Sequence, residues 1–180
     1  MSKCIALLRA INVGGTGKVK MADLRAMFAA EGFADAETVV QTGNVVFGAA
    51  DADTGELERR LEQAASEQLG LNSDFILRSA EEWKAVVAGN PFADFAADNP
   101  TFMVVAFAKA APDAEAIAAL HAATDGLPES LEVVGREIYV MYPEGQGRSK
   151  LDLAKIERKH PTVRATARNW NTVLKVAALL

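Results

Sequence analysis

The feature that most constrains the fold is an order of sequence patterns that recurs in the two halves of the chain. In the first half, short apolar runs typical of buried strands alternate with stretches of helical periodicity in the order β-α-β-β-α-β-α. The same order returns in the second half, although few residues are identical. It is the order of a ferredoxin-like unit with one added helix. We therefore predict an α+β fold made of two tandem ferredoxin-like halves with antiparallel sheets.

The boundary between the halves and the tight turns are marked by glycine and proline. The segment from Ala88 to Pro100 has breakers at both ends, so we expect half one to cover residues 1–90 and half two residues 91–180. Thr42-Gly43 separates two apolar runs, which predicts a two-residue hairpin between the second and third strands. In the second half, Gly135-Arg136 lies between two further predicted strands.

Two helix starts are also marked in the first half. Asp53-Thr54-Gly55 precedes a stretch of helical periodicity and is expected to open that helix. Ser79 can cap a further short helix, because Glu82 lies three residues on, at the spacing of a capping box.

Charge is distributed unevenly along the chain. The net charge is −5, which argues against non-specific binding of nucleic acid. Residues 1–147 contain 11 Lys and Arg against 22 Asp and Glu, whereas residues 148–180 contain 8 against 2. Half two therefore ends in basic helices, which favours an anionic partner there. Two alternatives are that the basic helices dock on the acidic remainder or form a solvated face.

The N-terminal residues and the single cysteine bear on the cellular location of the protein. Residues 1–9 are charged too early for a signal peptide, and no apolar run approaches the ~20 residues that span a bilayer. Cys4, the only cysteine, cannot form an intrachain disulfide. We therefore expect a cytoplasmic protein that does not contact a membrane.

A glycine-rich loop, residues 14–18, joins the first strand to the first helix. Successive backbone N–H groups before a helix can hold an oxyanion, and Lys18 and Lys20 add positive charge. A Walker A motif fails because Asn12 and Val19 occupy its glycine and hydroxyl positions, and a dinucleotide motif fails because Lys20 replaces its last glycine. The loop is either a weak anion site or a plain turn.

This loop should meet the first hairpin. In a ferredoxin-like sheet the first and third strands are antiparallel neighbours, so the end of one lies beside the turn before the other. Amide and cationic groups from both segments would then share one edge of the sheet. We predict a ligand-binding edge formed by Arg9, Asn12, Gly14, Gly15, Lys18, Gln41, Thr42 and Asn44.

The basic region contains two further candidate positions. Residues 144–150 form a second glycine-rich approach to a helix, where Ser149 is the expected N-cap and Lys150 adds charge. Near the C-terminal helix, Arg168 can bind a carboxylate or phosphate, with the amide of Asn169 beside it. A capped helix with solvated basic residues is the alternative at the first position, and core packing is the alternative at the second.

The sequence contains few residues that could bind a metal or act as a nucleophile. The two histidines, His121 and His160, are far apart and near no acidic or cysteine cluster. Cys4 lies in a predicted buried strand, where a thiol is usually inert. We expect no metal site and no cofactor, and no catalytic residue is identified.

Motifs spread over the whole chain resemble those of a known family. They comprise residues 8–15, then Lys18, Met21 and Leu24, and then residues 41–47, 90–92, 149–151 and 166–172. Together they resemble the bacterial family catalogued as domain of unknown function 1697. The resemblance implies an α+β fold with ferredoxin-like elements, and it implies no activity, substrate or catalytic residue.

Three hypotheses for function follow. The leading one is a small cytoplasmic protein that binds a phosphate-bearing ligand, a nucleotide or RNA, at the predicted edge. RNA is the less favoured of these because the first strand has no aromatic residue and the third has only Phe47. The alternatives are an enzyme acting on a small anionic metabolite and a structural or interaction module. A homodimer is left open.

Overall fold

The fold is described from a computed structural model, which covers residues 2–15, 17–49 and 53–180. The chain forms two compact units. The first unit consists of Met1–Ala85 together with Lys175–Leu180, and the second unit of Val86–Leu174. Both contain an antiparallel four-stranded sheet with helices, so the fold class is mixed α+β, as the sequence predicted.

The sheet of the first unit has the strand order β2-β3-β1-β4, and every neighbouring pair is antiparallel. Its central strand, β1, pairs with β3 on one side and β4 on the other. The elements in chain order are β1 (Lys3–Leu8), α1 (Met21–Ala30), β2 (Glu37–Val39), β3 (Asn44–Gly48), α2 (Thr54–Leu69), β4 (Phe75–Ser79) and α3 (Ala80–Ala88).

Local capping sets where these helices begin. The backbone N–H of Glu56 donates to Asp53 Oδ1 at 3.0 Å and starts α2, as the sequence predicted. Ser79 and Glu82 form the predicted capping box of α3, with bonds of 2.8 and 3.1 Å. The core lies on one sheet face, where α1 and α2 bury Leu24, Met27, Phe28, Leu57 and Leu61 with Ala6, Leu8, Val45, Phe47 and Phe75.

The second unit repeats the strand arrangement, with the order β6-β7-β5-β8 and antiparallel neighbours throughout. Gly135-Arg136 joins β6 to β7, as predicted. The elements are α4 (Ala93–Asp98), β5 (Met103–Ala108), α5 (Ala114–Ala122), β6 (Ser130–Val134), β7 (Glu137–Met141), α6 (Leu153–Lys159), β8 (Ala165–Asn169) and α7 (Trp170–Ala177), with single 3₁₀ turns at Gln146–Arg148 and Pro161–Val163.

Each unit ends its central strand with the same pair of backbone hydrogen bonds. The last strand residue donates to a carbonyl of the hairpin turn, and the next residue donates to a carbonyl just before the fourth strand. The bonds are Leu8 N to Gly43 O (2.8 Å) and Arg9 N to Asp74 O (3.0 Å) in the first unit, and Ala108 N to Arg136 O (2.8 Å) and Lys109 N to Arg164 O (3.1 Å) in the second.

The last residues of the chain belong to the first unit. The ammonium group of Lys3, at the start of β1, donates to the carbonyl oxygen of Leu179. Lys175–Leu180 therefore completes a unit whose other residues all precede Val86.

One turn prediction was wrong in detail. The first hairpin is not a two-residue turn at Thr42-Gly43, because β2 ends at Val39, which pairs with Asn44. Residues 40–43 form the loop, since Val40 adopts a φ of 58° that ends the strand. The segment from Ala88 to Pro100 contains α4.

The predicted start of α6 was also wrong. The helix begins at Leu153, where Asp152 Oδ1 accepts a hydrogen bond from Lys155 N at 2.9 Å. Ser149 instead accepts from Leu151 N at 3.0 Å and forms a local turn before the helix. A carboxylate at the correct spacing from the first turn is thus the N-cap that the chain uses.

Candidate functional site

The loop between β1 and α1 is held closed by one asparagine side chain. Asn12 Oδ1 accepts from Val19 N at 3.0 Å, and Asn12 Nδ2 donates to Val19 O at 3.2 Å. The Asn12 backbone N–H donates to Gly17 O at 3.1 Å. These bonds join Asn12, near the start of the loop, to Gly17 and Val19, near its end.

The same side chain joins this loop to the first hairpin. Asn12 Nδ2 lies 3.4 Å from the carbonyl oxygen of Gln41, so the structure brings together two segments that are far apart in sequence. Gly43 packs where no side chain fits, because a Cβ there would lie 2.5 Å from Ile11 Cδ1 and 2.9 Å from Leu8 Cβ. The two loops thus form one packed edge of the first sheet.

Asn44, another residue of the predicted edge, is wholly buried. Its Nδ2 donates to Val39 O at 2.7 Å and to Thr42 Oγ1 at 3.0 Å. These bonds shape the hairpin from inside. Asn44 therefore supports the edge without facing solvent.

Backbone strain is concentrated at this edge. Among the described residues, every non-glycine residue with a positive φ lies in these two loops: Ala10 and Asn12 at 54°, and Val40 at 58°. Val40 is the most unusual, because a β-branched side chain clashes with its own backbone in the left-handed region. Such strain is characteristic of functional segments, where the surrounding packing maintains it.

A cleft of about 770 Å³ opens where the loop meets the start of α1. The helix begins at Met21, and the residue before it, Lys20, makes no side-chain capping bond. The end of α2 closes the far side through Leu69. The described lining residues are Asn12, Gly15, Lys18, Val19, Lys20, Met21, Asp23, Gln41 and Leu69.

The family model described as "Protein of unknown function (DUF1697)" matches residues 1–139. The protein belongs to the DUF1697 family. The resemblance read from the sequence motifs is therefore confirmed. The matched segment contains the entire β1–α1 loop and the first hairpin, whereas the motifs at residues 149–151 and 166–172 lie beyond it.

A solved structure agrees with the overall architecture. The chain is similar to the conserved bacterial protein SP0830 from Streptococcus pneumoniae, with 26% sequence identity and a TM-score of 0.71. The similarity covers 99% of this chain and 98% of that one. No curated protein matches. In the part of the DUF1697 chain that is described, no helix has the length and apolar character needed to cross a membrane.

Four of the predicted edge residues, Asn12, Gly15, Lys18 and Gln41, line the cleft of this DUF1697 protein. Arg9 does not belong to the described lining. Its guanidinium lies 3.8 Å from the carboxylate of Asp74, and its carbonyl accepts from Ser73 Oγ at 2.6 Å.

Two other predicted edge residues, Gly14 and Thr42, are likewise not among the described lining residues of the cleft. Thr42 accepts a hydrogen bond from Asn44 and belongs to the hairpin loop.

The predicted residues of the second unit have local structural roles. Asn169 Oδ1 accepts from Thr172 N at 3.0 Å and caps α7. Arg168 is only 8% exposed, and its Nη1 donates to Thr166 Oγ1 and to Ala167 O, both at 2.8 Å. Burial lowers the pKa of the Arg168 guanidinium to about 10. Lys150 is exposed to solvent.

Sequence reasoning overlooked a counterpart of Arg168 in the first unit. Arg78 is 1% exposed and lies opposite Ile5 in the sheet, as Arg168 lies opposite Val105. Its Nη1 donates to the carbonyl of the preceding residue, Leu77, at 2.8 Å. An arginine followed by a helix-capping residue at the end of both fourth strands was the signal available in the sequence.

The cleft also contains residues that the sequence did not indicate as site residues. Asp23 lies in the first turn of α1, where an acidic residue is usually explained by the helix dipole. Leu69 ends α2, and no local pattern connects it with the glycine-rich loop.

The structure also bears on the potential metal ligands and on the single cysteine. No group of three or more His, Cys, Asp and Glu residues there could hold a metal ion. The Cys4 thiol is buried, and burial, together with the negative charge of Glu82, raises its pKa. A thiol with a raised pKa is a poor nucleophile at neutral pH.

Proposed function

We propose that this DUF1697 protein binds a phosphate-bearing ligand in the cleft between the β1–α1 loop and the first hairpin. One observation carries the proposal: Lys18 and Lys20 line the same cleft as Gly15 and the uncapped start of α1. Ammonium groups and the positive end of a helix both favour an anion. The residues assigned to binding are Gly15, Lys18, Lys20 and Gln41.

The hydrogen bonds of Asn12 support this assignment. They join the loop to Val19 and to Gln41, which reduces the conformational entropy that a ligand would have to remove on binding. Asn12 and Asn44 act as supports for the cleft rather than as ligand contacts, because their polar atoms already bond within the protein.

The test compares ligand binding by two variants, each of which lacks a pair of lysines in a different unit. Isothermal titration of the intact protein with inorganic phosphate and with the four nucleoside monophosphates should show binding by at least one of these probes. The double variant Lys18→Ala/Lys20→Ala should bind at least tenfold more weakly, whereas Lys150→Ala/Lys155→Ala in the second unit should bind normally. No binding by the wild type, or equal loss in both double variants, would exclude the proposed function.

A structural or interaction module is the second candidate, and the internal bonding of Asn12 and Asn44 favours it. Under this alternative, Asn12→Ala and Asn44→Ala destabilise the fold, while Lys18→Ala/Lys20→Ala leaves every binding property unchanged. Under the leading proposal, the two asparagine variants also lose affinity, because the cleft they support loses its shape.

We also propose that each unit is a ferredoxin-like half, as the sequence pattern predicted. The orders β2-β3-β1-β4 and β6-β7-β5-β8 support this topology. A division at residue 90, a cytoplasmic location and a homodimer remain predictions, and RNA as ligand is the alternative that the titrations below test. The test of the topology is an experimental structure of this chain compared with ferredoxin-like domains of known structure.

A further inference from the structure

A second cavity lies beside the cleft on the first unit. This cavity has a volume of about 450 Å³ and is lined by Asp23, Ala26, Met27, Gln68 and Leu69. Asp23 and Leu69 line both spaces, so the cleft and this cavity are adjacent at the first turn of α1 and the end of α2. A ligand can therefore extend from the glycine-rich loop along the groove between these helices.

The two ends of this groove differ in charge. Lys18 and Lys20 line the loop end, while the described lining of the helical end includes no lysine or arginine. Asp23 stands between the ends and is exposed. A carboxylate at this point repels a second phosphate group but accepts hydrogen bonds from hydroxyl or amino groups.

Apolar side chains flank Asp23 in both spaces. Met21 and Leu69 line the loop cleft, and Ala26, Met27 and Leu69 line the second cavity. Methionine is flexible and polarizable and packs well against flat rings. The helical end is thus suited to an uncharged planar group that carries hydrogen-bond donors.

We infer that the ligand has a single anionic end and an uncharged, donor-bearing end, as a nucleoside monophosphate has, and is not a polyanion such as RNA. The inference rests on the proposed function. The phosphate lies at Gly15, Lys18 and Lys20, the sugar hydroxyls or an exocyclic amine face Asp23, and the ring packs on Leu69 beside Met27.

The experiment titrates the intact protein with inorganic phosphate, ribose 5-phosphate, the four nucleoside monophosphates and a single-stranded hexaribonucleotide. At least one monophosphate should bind tenfold or more tightly than inorganic phosphate and more tightly than the hexamer. Asp23→Asn should weaken that monophosphate at least fivefold and strengthen the hexamer. Glu115→Gln, which neutralises an exposed acid in the first turn of α5, is the matched control and should change neither.

The outcomes separate this inference from the proposed function. If inorganic phosphate and the monophosphates bind equally, and Lys18→Ala/Lys20→Ala abolishes both, the proposed function stands and the two-ended ligand is excluded. Tighter binding of the hexamer, with no response to Asp23→Asn, also excludes it. If the wild type binds none of the probes, both proposals fail together.

Discussion

The two units share one strand order and one pair of strand-end hydrogen bonds, yet they build the same edge of the sheet differently. In the first unit, residues 9–20 join the central strand to its helix and residues 40–43 form the hairpin loop. In the second unit, residues 109–113 and the two residues Gly135-Arg136 make the corresponding connections. The second unit shows that the sheet is completed by much shorter loops.

The additional chain in the first unit is therefore not required by the fold. Its backbone contains all the described non-glycine positive φ angles, and it lines a cleft with two lysines. Loops that are longer and more strained than the fold needs are where binding residues concentrate. This difference supports the proposal that the first edge binds a ligand, whereas the corresponding edge of the second unit only completes its sheet.

Substitution of the hairpin glycines should give the largest difference in unfolding free energy between the two edges. Gly43→Ala should cost about 3 kcal/mol of unfolding free energy, since a Cβ at φ 75° also meets Ile11 and Leu8. Gly135→Ala should cost about 1 kcal/mol, because its Cβ meets only ordinary contacts at φ 59°. Urea denaturation of both variants measures this, and equal losses would show that the first edge is not closely packed.

Removal of the Asn12 side chain should have the second-largest effect on the unfolding free energy. Asn12→Ala removes the side-chain bonds to Val19 and Gln41 and should cost about 2 kcal/mol. Asp113→Ala, which removes the N-cap of α5 in the second unit, should cost about 1 kcal/mol. Hydrogen exchange should increase across residues 12–19 in the first variant only. Unchanged exchange there would mean that Asn12 does not hold the loop.

Stability at alkaline pH should depend on the second unit, which contains both tyrosines of the chain. Burial, with a smaller effect of Glu129, raises the pKa of Tyr142 to about 12, and burial with Glu137 raises that of Tyr139 further. The folded state then holds protons that the unfolded chain loses above pH 10, so stability falls there by about 1.4 kcal/mol per pH unit for each proton.

Arg168 opposes this decline, because its lowered pKa makes the unfolded state the better proton binder above pH 10. Cys4 acts in the same direction as the tyrosines from pH 9 upward. The net change is a loss of stability, measured by urea denaturation between pH 9 and 11. Tyr142→Phe should flatten the decline, and an unchanged slope in that variant would contradict the assignment.

The smallest expected effect is a gain in stability. Val40→Asn should raise the unfolding free energy by about 1 kcal/mol, because asparagine tolerates the left-handed backbone that valine resists. Val134→Asn is the control, since Val134 is similarly exposed (48% against 44%) and lies in a strand. Thermal unfolding distinguishes the two, and a loss in both would show that Val40 is not strained.

Features set by a few adjacent residues could be predicted from the sequence. The capping box of Ser79 and Glu82, the cap at Asp53 and the turn at Gly135-Arg136 each depend on local chemistry and were correct. The hairpin at residues 40–43 was not, because Val40 adopts a backbone angle that its own side chain disfavours.

Some residues of the candidate site could likewise be predicted from the sequence, whereas others could not. The glycine-rich loop is visible in the sequence, and the strand order brings it to Gln41. Asp23 and Leu69 could not be predicted, since their position depends on how two helices pack on the sheet. The roles of Asn12 and Asn44 as supports also depend on partners that only the folded chain supplies.

The assignment of Lys175–Leu180 to the first unit has a consequence for biosynthesis. Although residues as early as β1 belong to that unit, it lacks its final segment until the C-terminal residues have left the ribosome. The second unit, Val86–Leu174, has all its residues available earlier and can finish folding first. Of these two units, the one whose translation begins first is therefore the second to have all its residues available.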